Sequence, residues 1–189
     1  MTPRLSIVLA IIVTCLLGAS TAGAVTLTTP EGEPLYPFQA WADRAKVPTP
    51  DMTIIVSGDV AQCGVSPDPT LITIACTSRT EPIIYALWPN CGFRQNRDDI
   101  RSCRFWILHE IGHQFDRVMP TWKRAAFAKI LGDESEWLAP GVFATLEEDF
   151  ADGYARCAIN RIAPWLSQGR FMRDLSGRQF RRICRLIRA

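Results

Sequence analysis

The chain has 189 residues, with 21 Lys and Arg against 19 Asp and Glu, a formal net charge of +2. That length predicts one domain, large enough to bury its own core. So small a net charge excludes nucleic-acid binding driven by global electrostatics.

Residues 1–24 carry a single charge, Arg4, then an apolar run from Leu5 to Leu17 and a small-residue end at Ala22-Gly23-Ala24. The pattern predicts a secretory signal peptide cut before Val25. The apolar run is shorter than the roughly 20 residues that span a bilayer. The expected product is an exported monomer of one domain, residues 25–189, with 20 basic side chains against 19 acidic. Beyond Cys15 stand six cysteines: Cys63, Cys76, Cys91, Cys103, Cys157 and Cys184. An even set in an exported chain predicts three disulfides. Short loops favour Cys63–Cys76, Cys91–Cys103 and Cys157–Cys184. No C-x-x-C occurs, which argues against zinc held by thiolates.

Residues 25–37 are rich in Thr, Pro and Gly and read as an irregular lead-in. Phe38 to Lys46 reads as a short helix, stopped by Pro48 and Pro50. Thr53–Ser57, Leu71–Cys76 and Pro82–Leu87 are short, rich in β-branched residues and bounded by turn residues, which predicts three strands. Helices follow. Residues 98–118 hold no Pro, and Phe105, Leu108, Ile111, Gly112, Phe115 and Met119 recur at helical spacing before Pro120 ends the run. Further helices are predicted at Trp122–Leu131, Leu146–Ile162 and Arg178–Ile187, with a loop at 136–141. Strands followed by helices make an α+β domain.

Within the first long helix lies ILHEIGHQFD, residues 107–116, which contains both histidines of the chain. Residues four apart lie one above the other on a helix. His109 and His113 can therefore present two imidazoles to one ion, each nitrogen about 2.0–2.1 Å from Zn2+. Glu110, one step around the helix, would reach a water at the ion and act as its general base. Gly112 costs about 1 kcal/mol of helix stability relative to Ala. Its presence predicts close approach by another element.

A catalytic zinc takes three protein ligands and keeps one position open. With no third histidine, the remaining ligand is sought among the acids. Between Lys129 and Arg156 stand seven acids and no Lys or Arg. Glu148, Ala151, Asp152 and Ala155 share one face of the predicted helix, so Glu148 is the first candidate and Glu147 the second. Thr145 and Glu148 also fit a helix-capping pair, a role for Glu148 without a metal.

HExxH followed by a glutamate on a later helix resembles the zincin metallopeptidases in their gluzincin form. H-E-I-G-H-Q-F-D with E-D-F-A-D-G-Y is also similar to minimal zincins and to the catalytic domain of anthrax lethal factor. The resemblance covers two short motifs and the order of elements. It implies a minimal zincin-like domain: a small three-stranded sheet, then the HExxH helix, then a helix carrying the glutamate. His109, His113 and Glu148 become Zn2+ ligands, Glu110 the base and Asp152 a carboxylate behind the ligands. The implied activity is hydrolysis of a peptide or protein substrate. It also implies that Pro82–Leu87 is the edge strand that lines the cleft. One departure is that Gly141 stands where the lethal-factor type has a tyrosine, leaving Tyr85 or Tyr154 as candidate oxyanion donors. A metzincin would place its third ligand at position 119, where Met119 reads as core. The alternative function is a non-catalytic zinc-binding or protein-binding module on the same scaffold.

From Arg170 to Ala189 there are seven arginines and one acid, Asp174. Such a tail could contact an anionic membrane or an acidic partner. The preferred expectation is a packed final helix, tied by Cys184, whose arginines offset the acids at 133–152.

Overall fold

The computed structural model describes residues 24–64, 75–86, 97–133, 137, 145–160 and 174–189. The expected signal peptide, apart from Ala24, lies outside these residues, as do Cys91 and therefore the Cys91–Cys103 pairing. The described residues form four strands and five α-helices, an α+β arrangement. The strands are β1 (Thr26–Thr28), β2 (Thr53–Ser57), β3 (Ala75–Thr77) and β4 (Ile83–Ala86). The helices are α1 (Tyr36–Asp43), α2 (Arg97–Val118), α3 (Thr121–Leu131), α4 (Leu146–Ile159) and α5 (Gly177–Arg188).

The sheet runs β1-β2-β4-β3, with β1, β2 and β4 parallel and β3 antiparallel to β4. Helix α1 carries the chain between the parallel strands β1 and β2, since parallel strands need a crossover. Two expectations are corrected here. The lead-in contains β1, so the sheet has four strands and not three. This strand is only three residues long; Leu27 is buried and the threonines beside it are not, too short a pattern to show a period. Pro82–Leu87 does not supply the edge strand. β4 lies between β2 and β3, and the outer strands are β1 and β3. The burial agrees: Ile84 and Ala86 are fully enclosed, whereas β3 is half-buried throughout.

The core joins Leu27, Ile54, Val56, Ile84 and Ala86 of the sheet to Phe105, Leu108 and Ile111 of α2 and Phe150 and Tyr154 of α4. Met119 is buried in it, as its spacing predicts. Helix α2 ends before Pro120, and α3 ends at Gly132, whose φ of +74° suits a residue without a Cβ. Cys63–Cys76 ties a short 3-10 turn to β3, and Cys157–Cys184 ties α4 to α5. Both pairings are those expected from the sequence, and disulfides fit an extracellular location. Among the described residues no helix is long and apolar enough to cross a membrane.

Candidate metal centre

Helices α2 and α4 pack face to face, and the contact passes through Gly112. A Cβ built on Gly112 would stand 3.0 Å from Ala151 Cα and 3.0 Å from Tyr154 Cβ. The close approach that Gly112 predicts is therefore real, and α4 supplies it. Gly112 lies between His109 and His113, and Ala151 between Glu148 and Asp152. The two smallest side chains of the contact thus bring four polar ones together.

His109 Nε2 and His113 Nε2 stand 3.1 Å apart. Glu148 reaches both rings, with Oε2 3.2 Å from His109 Nε2 and Oε1 3.5 Å from His113 Nε2. One ligand atom from each of the three residues lies within 4.8 Å of the others, so the group could hold a metal ion. Four donors about 2.05 Å from a tetrahedral zinc are about 3.3 Å from one another. The two Nε2 atoms, 3.1 Å apart, are close to that edge, and Glu148 approaches each of them with a different oxygen.

The outer ring nitrogens also face carboxylates. His109 Nδ1 is 2.9 Å from Asp152 Oδ1, and His113 Nδ1 is 3.4 Å from Glu147 Oε1. A proton on His109 Nδ1, shared with Asp152, turns that ring's Nε2 lone pair inward toward the Glu148 carboxylate, and His113 does the same when its proton sits on Nδ1, which lies 3.4 Å from Glu147 without a hydrogen bond. Three converging acceptors repel one another unless a positive charge sits among them. Glu147 thus faces the outer nitrogen of His113 while Glu148 faces the inner nitrogens of both rings. The sequence ranked these two glutamates but did not reveal that each has its own place.

The electrostatics point the same way. Burial alone would lower both histidines, but the surrounding carboxylates outweigh it. Asp152 and Glu148 raise His109 well above its ordinary value, and Glu147 and Glu148 push His113 up to about 9. Burial would raise Glu148, yet its hydrogen bonds to the two rings hold it well below the usual carboxylate range. Without an ion, protons on the rings supply the positive charge that the carboxylates demand. Glu110 differs from its neighbours. It is buried, its pKa is raised first by that burial, and it has no hydrogen-bond or ion-pair partner among the described residues.

The start of α4 explains how Glu148 serves two roles. Thr145 caps the helix by accepting from the Glu148 backbone N–H. The cap uses the main chain and leaves the carboxylate for the imidazoles. Behind Asp152, the buried Arg156 lies one turn further along α4. Burial depresses its pKa, and the charges of Asp152 and Asp149 oppose that effect.

Two polar residues beside the motif also hold the centre together. Gln114, fully buried, donates to Thr77 Oγ1, to Ser78 O at 3.3 Å and to Glu81 O at 3.2 Å, fixing β3 and its turn to α2. Asp116 accepts from Arg124 Nε at 2.9 Å and from Trp137 Nε1 at 3.1 Å. Trp137 O in turn accepts from Glu147 N, so Asp116 steadies the segment that delivers both glutamates. The sequence signal for both was only their place, directly after HExxH in ILHEIGHQFD, since the helix carries many other polar residues. Tyr154 is not free to act as an oxyanion donor, because its hydroxyl donates to Pro48 O at 2.9 Å. Tyr85 lies on β4, paired with Ser57 of β2 and Cys76 of β3.

Comparison of the chain with protein-family models, with curated proteins and with solved structures found no match.

Proposed function

We propose that this protein is an exported zinc-dependent peptide hydrolase of the zincin type. His109, His113 and Glu148 hold Zn2+, and Glu110 is the general base. The observation that carries the reading is the convergence of three acceptors, two imidazole Nε2 atoms and the Glu148 carboxylate, with one ligand atom from each within 4.8 Å of the others. Nitrogen and oxygen donors of this kind suit zinc.

Bound zinc supplies Lewis acidity, lowering the pKa of an attacking water to about 7. The protein's residues do the rest. Asp152 fixes the tautomer and orientation of the His109 ring by its hydrogen bond to Nδ1, and the Glu147 carboxylate, 3.4 Å from His113 Nδ1, favours a proton on that nitrogen. Glu110 takes the proton of the attacking water on a carboxylate oxygen and passes it to the leaving amine. Strand β3, one of the two outer strands of the described sheet, would pair with an extended peptide.

A non-catalytic zinc-binding module is the second reading, favoured by the engagement of the Tyr154 hydroxyl with Pro48. Glu110→Gln separates the two. In the hydrolase it retains the metal and lowers cleavage of a generic peptide library by roughly 100- to 10,000-fold. If the unaltered protein cleaves no peptide with zinc bound, the module reading replaces the hydrolase.

A further inference from the structure

Helix α5 contains five arginines, Arg178, Arg181, Arg182, Arg185 and Arg188, and no acid. All five are exposed. At 100° per residue they fall within an arc of roughly 120°, along about 15 Å of helix axis. The opposite face is buried through Ile183, Cys184 and Ile187. The helix is packed and tied by Cys184, as the sequence predicts. Among the described residues no carboxylate pairs with any of these arginines; Glu134 and Glu136 of the stretch expected to offset them, and Arg170 and Arg173, lie outside the described residues.

The face is rigid as well as charged. Ser176 and Gln179 form a capping box at its start. Gln179 Nε2 donates to Ile130 O, the Cys157–Cys184 bridge fixes its middle, and Arg188 donates to Lys46 O at 2.7 Å. Between α5 and the end of α4 is an open pocket of about 420 Å³, lined by Asn160, Phe180, Arg181, Cys184, Arg185 and Arg188. Its volume lies within the range that takes small ligands. Asn160 is 12 residues beyond Glu148, about 18 Å along the helix, so this face is separate from the metal centre.

We infer that the arginine face of α5 docks the protein on an anionic phospholipid surface, with a headgroup phosphate seated in the pocket beside Arg181 and Arg185. Charge complementarity carries the assignment, since guanidinium groups match phosphate oxygens in pairs. The shape favours a surface over a nucleic-acid strand. The only aromatic residue of α5 is Phe180, half-buried against the core, so no exposed ring on the helix is available to stack on bases. The disulfides place the protein in an oxidising compartment, away from the bulk of nucleic acid. No large apolar side chain is exposed on α5, so binding is adsorption by charge without insertion.

The test uses the purified protein with sedimented phosphatidylcholine vesicles, with and without phosphatidylglycerol. The variant is Arg178→Gln/Arg182→Gln/Arg185→Gln, whose side chains make no hydrogen bond in the described structure. Each basic residue near an anionic surface contributes about fivefold to partitioning, so the triple variant binds roughly a hundredfold more weakly. Molar salt abolishes binding, Glu110→Gln leaves it unchanged, and thermal unfolding of the triple variant matches the parent. Equal binding to neutral and anionic vesicles overturns the inference, as does no binding to either. So does tighter binding to heparin or DNA than to the anionic vesicles, or self-association in sedimentation velocity that the triple variant abolishes.

Discussion

Replacing Gly112 by Ala tests whether helix spacing sets the metal centre. The new Cβ would meet Ala151 Cα and Tyr154 Cβ, each at 3.0 Å. Ordinary carbon contacts are about 3.5–4.0 Å, so the helices must part by about 0.5 Å or more. Neither neighbour can yield easily. Ala151 Cα is backbone, and Tyr154 is buried with its hydroxyl bonded to Pro48 O. Helix propensity gains about 1 kcal/mol, and overpacking costs about 1–3 kcal/mol. The metal-free protein therefore loses between about 0 and 2 kcal/mol, read by urea unfolding. Zinc affinity falls further. Ligand distances tolerate about 0.2 Å, and the histidines and Glu148 sit on opposite sides of the widened contact. Competition against a chromophoric chelator should show a loss of tenfold or more. Wild-type zinc affinity together with a wild-type unfolding midpoint would refute the reasoning.

Three further outcomes follow from the same geometry. Asp152→Asn and Glu147→Gln each lower zinc affinity by roughly 10- to 100-fold while the fold is retained, because each disturbs an outer ring nitrogen; unchanged chelator competition would count against that role. His113, raised to about 9 in the folded metal-free chain, stabilises that chain fully below about pH 6.5 and loses the contribution as pH rises through 9. Unfolding in chelator should thus lose about 3 kcal/mol across that window, whereas zinc-loaded protein stays level, and parallel profiles would contradict the link. Cys157→Ala/Cys184→Ala opens a loop of sequence separation 27 and should cost about 3.5 kcal/mol on the chain-entropy account; an unchanged unfolding temperature would show that the bridge adds nothing.

The candidate metal centre was legible because its parts follow helix periodicity. His109 and His113 are one turn apart, Glu148 and Asp152 one turn apart, and Gly112 marks where the two helices meet. Local pairing of cysteines held for the bridges at Cys63–Cys76 and Cys157–Cys184 because both partners lie close in sequence. What could not be read was set by tertiary partners. β1 exists because β2 lies beside it, not because Thr26–Thr28 has strong strand character. The order of β3 and β4 depends on which strand of the hairpin reaches β2, and β-branched residues mark both predicted segments, so composition does not order them. The place of Glu147 depends on a ring nitrogen contributed by another helix. The arginines of α5 showed their helical face in the sequence, but their lack of carboxylate partners among the described residues is a property of the packed chain.

The central claim is that two imidazoles and the Glu148 carboxylate bind one cation, and metal analysis of the purified protein tests it most directly. The account predicts one zinc per chain, absent from His109→Ala and from Glu148→Ala. A protein that purifies without zinc and takes none up on dialysis against it, or one whose zinc survives both substitutions, would contradict it.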